Sequence, residues 1–294
     1  MMREPVIIFG MHRSGTTLVV ELLRRLGFFP GARLEENLEP WFFLRRNEWL
    51  LRRAGGAWDH PTPMARLLED DRFCSEAAEL MASEVQHRFF EFTGVRARRK
   101  RERLLSEPWG FKDPRSTFTL PVWLRVFPRA RLLCVHRHGV DVASSLHLRA
   151  TRDDPRRSVL DIRPMRSRIK ASLRRFELLG HYSESARCQS LQGAFQLWEE
   201  YVTQAEAVLE GHPGPKHRVS FERLVREPHS ELTAIAELAG LEADEASILG
   251  ACAGIRADRA FAFASDPKRM ALWREVRSSE CLKLLSYDQE PGEA

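Results

Sequence analysis

The 294-residue chain is 43% hydrophobic and 30% charged, the make-up of an ordinary globular protein, and its length fits one α/β domain around one sheet. Its 46 Lys and Arg against 41 Asp and Glu leave a net charge of +5, too modest to mark a nucleic-acid binder, so a local anion site is the better expectation. Five widely spaced cysteines with no CxxC pair argue against a disulfide framework or a zinc site, and no stretch of about 20 apolar residues is present to span a membrane, so a cytoplasmic protein with reduced, buried thiols is expected.

Pro5–Phe9 is a short apolar run between Pro and Gly, which predicts a buried parallel strand. Thr17–Leu26 follows with Leu18, Leu22, Leu23 and Leu26 at helical spacing and Gly27 as its stop. The helical period returns in Glu39–Gly56, through Trp41, Leu44, Trp49 and Leu50, and again over Phe73–Phe92. Val95–Arg103 is a dense basic run, read as a solvated face. Trp109–Pro128 reads as a strand ending near Lys112 and then a helix interrupted or begun around Pro121. A second clear strand, Leu132–His136, leads into a helix from about Val140. Residues 151–190, polar and Arg-rich through Asp153–Arg175, are expected to form a cover or substrate-facing insertion. Gly193–Leu209, Pro228–Leu241 and Glu245–Cys252 are helical in pattern, and His217–Val225 reads as a strand leading into a turn. Strands alternating with helices predict a P-loop-like three-layer αβα sandwich with a central parallel sheet, one domain over residues 1–294.

The chemistry concentrates between the first strand and the first helix, in "GMHRSGTTL". Gly10 and Gly15 allow a loop whose backbone N–H groups and following helix N-terminus point at one spot, which suits an anion. Ser14, Thr16 and Thr17 add hydroxyls, and His12 and Arg13 sit on the crest. A Mg-dependent nucleotide triphosphatase would carry Lys after the second glycine, where this chain has Thr16. Arg13 instead supplies a guanidinium able to bridge two anionic oxygens, and a donor that needs no metal fits it better.

The loop resembles the 5′-phosphosulfate loop of sulfotransferases that use 3′-phosphoadenosine 5′-phosphosulfate. In "CVHRHGVDVASSL", Arg137 and Ser145 match the family's strand-end Arg and helix Ser, which the resemblance implies grip the donor's 3′-phosphate. "FKDPRSTFTLPVWLRVFPRARLLCVHR" is similar to the tyrosylprotein sulfotransferases and many bacterial relatives, and gives Lys112 a role at the sulfuryl group. "VSFERLVREP" resembles the strand and turn near the adenine, with Phe221 as a stacking residue, and "SDPKRMALWREV" the late basic loop, with Arg269 and Lys268 as donor contacts. The late glycine-rich donor motif of the cytosolic small-molecule enzymes has no counterpart here, and Arg13 stands where they carry Lys, which favours the bacterial or tyrosylprotein-like branch.

Sulfuryl transfer needs alignment, positive charge at the leaving phosphate, and a base for the acceptor proton. The resemblance implies a Glu shortly after the first helix. Glu35, Glu36 and Glu39 lie there; Glu36 is the first choice and Glu39 the second, with His12 or His60 as substitutes. The expected acceptor is a hydroxyl or amine of a carbohydrate, lipid, peptide or small metabolite, with no metal, no nucleic acid and no membrane span. Two other readings remain at this stage: a nucleotide kinase with a degenerate P-loop, and a non-catalytic nucleotide- or polyanion-binding protein.

Overall fold

Alternation along two strands builds the centre of the molecule, which a computed structural model describes for residues 3–94, 106–152 and 185–289. The basic run Val95–Arg103 and the Arg-rich segment Asp153–Arg175 lie outside the described residues. In chain order the main elements are β1 (Val6–Gly10), α1 (Thr16–Arg25), α2 (Trp41–Arg53), α3 (Asp71–Arg88), β2 (Gly110–Lys112), α4 (Ser116–Val126), β3 (Arg131–His136), α5 (Gly139–Arg152) and α6 (Leu191–Gly211). They continue with β4 (Lys216–Ser220), α7 (Phe221–Arg226), α8 (Pro228–Ala239), α9 (Glu245–Cys252), α10 (Pro267–Val276) and α11 (Glu280–Leu284).

The strands form one parallel sheet in the order β2-β1-β3-β4. Ile7, Phe9, Leu132 and Cys134 face one side, against Phe43, Trp123, Trp198 and Tyr201, while Val6, Ile8, Leu133 and Val135 face the other, against Val20, Leu23, Leu232 and Ile235. Period-two burial on both faces is what a parallel strand covered by helices requires, and three layers result. The chain leaves β1 toward one edge and β3 toward the other, so a crevice opens beyond the carboxyl ends of these neighbours. Gly10 stands beside Val135 in that register, and a Cβ there would lie 2.1 Å from the Val135 carbonyl oxygen.

Two local expectations change. The predicted turn within His217–Val225 is instead helix α7: Ser220 Oγ accepts from Arg223 N at 3.3 Å, and Phe221, Leu224 and Val225 are buried at helical spacing. Helix α4 runs through Pro121 without a break, with Phe118, Leu120, Val122 and Trp123 all buried around it. Burial of those side chains outweighs the hydrogen bond that proline forgoes.

Candidate active site

The loop after β1 is shaped by backbone angles that ordinary residues avoid. Gly10, Arg13 and Gly15 have φ of 129°, 71° and 101°, and Gly15 is the N-cap of α1. Arg13 is the non-glycine residue among them; its left-handed angle turns its side chain onto the crest, where it is exposed. Helix α1 begins with no side-chain cap and no acidic residue in its first turn, so its positive end is presented to the crevice. Ser14 turns inward and its hydroxyl donates to Met11 O at 2.7 Å.

A cleft of about 190 Å³ opens over this helix end. From the loop it is lined by His12, Arg13, Gly15, Thr16 and Thr17, and from β2 by Lys112 with Pro114. Arg137 enters from the end of β3, Ser145 and Arg149 from α5, and Asn37 and Glu39 from the turn before α2. The loop and the second motif touch: Arg13 Nε donates to Ser145 Oγ at 2.8 Å. Arg137 donates to Asp141 Oδ2 at 3.2 Å and to the Arg259 carbonyl at 3.0 Å, and its guanidinium lies 4.3 Å from the centre of the Phe221 ring. Its Nε is buried and has no hydrogen-bond partner.

Among the described residues, Glu39 is the one acid lining the cleft. It is 1% exposed and joins two cations: Oε1 accepts from Lys112 Nζ at 3.0 Å, and Oε2 from Arg115 Nη1 at 2.9 Å. Burial pushes the carboxyl up, but Lys112 and Arg115 outweigh it and hold the group at about 2. Asp113 shares the same guanidinium at 2.9 Å, yet burial pushes its carboxyl up and the Glu39 charge adds to the shift. His12, held edge-on 5.0 Å from Trp58, is driven well below its ordinary range by burial and then by Arg115, so the imidazole is neutral.

The remaining expected residues lie elsewhere. Glu36 is exposed and does not line the cleft. Glu35 folds its carboxylate back onto the chain and accepts from Asn37 N at 2.6 Å and Glu39 N at 3.2 Å. Phe221 is buried under the Arg137 guanidinium with its ring edge against Gly15. Arg269 pairs with Asp266 at 3.3 Å on α10, beside exposed Lys268, and His60 is exposed; none of the three lines the cleft. Sequence reasoning missed Arg149 and Arg115. The signal for the first is its place one turn beyond Ser145 on α5, and for the second the string Lys-Asp-Pro-Arg, of which only the lysine drew notice.

Among the described residues, no group of three His, Cys, Asp or Glu is placed to hold a metal ion, and no helix is long and apolar enough to cross a membrane. Residues 5–245 match a family model described as the sulfotransferase family. The sulfotransferase domain from the curacin biosynthetic pathway aligns over 99% of this chain and 100% of its own at 13% identity, with a TM-score of 0.51. A sulfotransferase from Mycobacterium avium aligns over 88% of this chain and 73% of its own (16% identity, TM-score 0.43). The sulfotransferase domain of a Synechococcus olefin synthase aligns over 92% and 83% (16% identity, TM-score 0.42). No curated protein matches the sequence.

Proposed function

The chain belongs to the sulfotransferase family, and from that premise we propose that it moves a sulfuryl group from 3′-phosphoadenosine 5′-phosphosulfate to a hydroxyl or amine acceptor. The observation that carries the donor is the meeting of Arg13, Lys112, Arg137 and Arg149 with the uncapped end of α1 on one cleft. The fit is supported by the buried Arg137 Nε, a cationic donor with no partner, and by Gly15, whose missing Cβ leaves the loop close against Phe221. The donor molecule supplies an activated sulfuryl group on a phosphate leaving group.

The chain's own residues then divide the work. Arg13, with the loop N–H groups of Thr16 and Thr17, holds the phosphosulfate end; Arg137, Ser145 and Arg149 hold the 3′-phosphate end. Phe221 acts as the platform beneath Arg137. Lys112 stands between Glu39 at 3.0 Å and Thr17 Oγ1 at 3.4 Å, and it turns toward the sulfuryl group, where it stabilises charge that builds on the leaving phosphate. The acceptor oxygen or nitrogen forms its bond to sulfur as the sulfur–oxygen bond to phosphate breaks and that electron pair stays on phosphate. Glu39, and not Glu36, takes the acceptor proton, because Glu39 lines the cleft and is ionised.

Calorimetric titration with 3′-phosphoadenosine 5′-phosphate, with ATP plus Mg²⁺ as the control, tests the donor assignment on wild type and Arg137→Ala. Micromolar binding of the first alone, lost in the variant, is the expected result. Binding of ATP with Mg²⁺ instead would return the chain to the kinase reading.

A further inference from the structure

Glu39 is the end of a buried polar chain that runs from its own turn through the loop after β2 to α2 and α4. Beyond Arg115 and Asp113, Asp113 Oδ2 accepts from Asn47 Nδ2 of α2 at 2.9 Å. Asn47 Oδ1 in turn accepts from Thr119 Oγ1 and Trp123 Nε1 of α4, each at 2.7 Å. Every amide atom of Asn47 that this chain uses is fixed by a buried partner, so the network orients one carboxylate with little freedom.

The two cations on Glu39 differ in kind. Lys112 lines the cleft on a flexible stem and also reaches Thr17, so it can leave Oε1 without entering the core. Arg115 does not line the cleft; it is 1% exposed, tied by Nη1 to both Glu39 and Asp113, and its backbone N donates to Asp113 Oδ1 at 2.9 Å. A second guanidinium nitrogen lies 3.7 Å from Glu48 Oε1. A carboxylate so deeply buried is costly to leave without a cation, and a lysine that follows the transferring group removes one of its two.

We propose that Arg115 is the positioning residue of the transfer: by holding Glu39 through Oε2 it lets Lys112 turn to the sulfuryl group and leaves Oε1 as the atom offered to the acceptor proton. This rests on Glu39 being the base, as proposed above. Among the described residues, the charged and titratable groups that face Glu39 are Lys112 from β2, Arg115 and Asp113 from the loop after it, His12 from the loop after β1, Tyr201 from α6, and Glu35 from its own turn. Among them Lys112 and Arg115 hold the carboxyl down after burial has raised it. Loss of Arg115 therefore shifts the ionisation of Glu39 upward and moves the acid limb of the pH–rate profile to higher pH.

The test takes water as the accepting hydroxyl in place of an identified acceptor. Release of sulfate from radiolabelled 3′-phosphoadenosine 5′-phosphosulfate is followed against pH in wild type, Arg115→Gln, Arg115→Lys and Glu39→Gln, with 3′-phosphoadenosine 5′-phosphate affinity measured on each by calorimetry. Arg115→Gln is expected to keep its nucleotide affinity within about threefold, to lose about a hundredfold in rate because the carboxylate is no longer held in place, and to show its acid limb at higher pH than wild type. Arg115→Lys, which keeps the charge and one hydrogen bond, is expected to lose about tenfold with the acid limb in place. An Arg115→Gln profile of wild-type shape and height overturns the proposal. If that variant gives no folded protein, a wild-type rate in Arg115→Lys overturns it and a lowered rate at unchanged nucleotide affinity sustains it. Glu39→Gln reports separately on the base: a rate unaffected by that change removes the premise, whatever Arg115 does.

Discussion

Arg13 and Ser145, 132 residues apart, meet through a 2.8 Å hydrogen bond from the guanidinium Nε to the serine hydroxyl. The contact joins the loop after β1 to helix α5 and so couples the two ends of the proposed donor site. Ser145→Ala removes both the hydroxyl and the anchor of Arg13, and 3′-phosphoadenosine 5′-phosphate affinity is expected to fall about tenfold. In a double-mutant cycle with Arg13→Ala the two losses should be less than additive, because either change breaks the same bond. Additive losses in calorimetry would mean that the residues act on the nucleotide independently.

Arg137 rests on Phe221, and Phe221 in turn lies against Gly15, where an added Cβ would come within 2.4 Å of the ring. Gly15→Ala must therefore strain the loop, whose φ there is 101°, and displace the platform under Arg137. Phe221→Leu isolates the second effect, since it keeps a buried apolar group and removes the stacked face. The expectation is a five- to tenfold weaker nucleotide affinity, estimated roughly from the worth of one cation–π contact, with a melting temperature close to wild type. Unchanged affinity in Phe221→Leu would show that Asp141 and the Arg259 carbonyl suffice to hold Arg137.

The first half of this site was legible because its signals are local. The glycine spacing, the apolar run before it and the leucine period after it each report on neighbours in the chain, and all fall within β1, the loop and α1. The proposed base was not legible, because its position depends on a turn. Leu38 takes a φ of 64° and Glu35 bonds the backbone N–H groups of Asn37 and Glu39, which sends Glu36 outward and carries Glu39 into the core. Nothing in "LEENLEP" distinguishes those carboxylates until Lys112 and Arg115, more than 70 residues later, arrive beside one of them. Arg115 escaped notice for the same reason: its partners come from α2, from the turn before it and from its own loop.

Buried histidines make the fold sensitive to acid. Burial lowers His136 to about 4 and His138 to about 3, and it also lowers His12. A histidine whose folded value lies below its unfolded one takes up a proton more readily on unfolding, so stability is lost as pH falls below about 6.5 toward the folded values. Glu222 and Asp141, which burial pushes up, act in the opposite sense, and Glu39 is affected only in stronger acid. His136→Gln keeps a polar atom for the Tyr287 hydroxyl, now 3.1 Å from Nδ1, and removes one titrating group. Between about pH 7 and about pH 5 the variant should lose less stability than wild type by about 2 kcal/mol, read from urea unfolding at both values. Equal losses would indicate that His136 is protonated in the folded state.

Lys112 gives the sharpest separation of binding from turnover. Its ammonium is 1% exposed with the side chain, faces the cleft, and is shared between Glu39 Oε1 and Thr17 Oγ1. In the proposed reaction it acts on charge that develops only as the sulfur–oxygen bond breaks, whereas the desulfated nucleotide is held by Arg13, Arg137, Ser145 and Arg149. Lys112→Met keeps the stem and removes the charge. The rate of sulfate release should then fall by about a hundred- to a thousandfold while 3′-phosphoadenosine 5′-phosphate affinity changes by less than about fivefold. Glu39 keeps Arg115 in this variant, so the carboxylate remains paired and a folded protein is expected. A loss of affinity that matched the loss of rate would place Lys112 in ground-state binding of the nucleotide and take it out of the transition state.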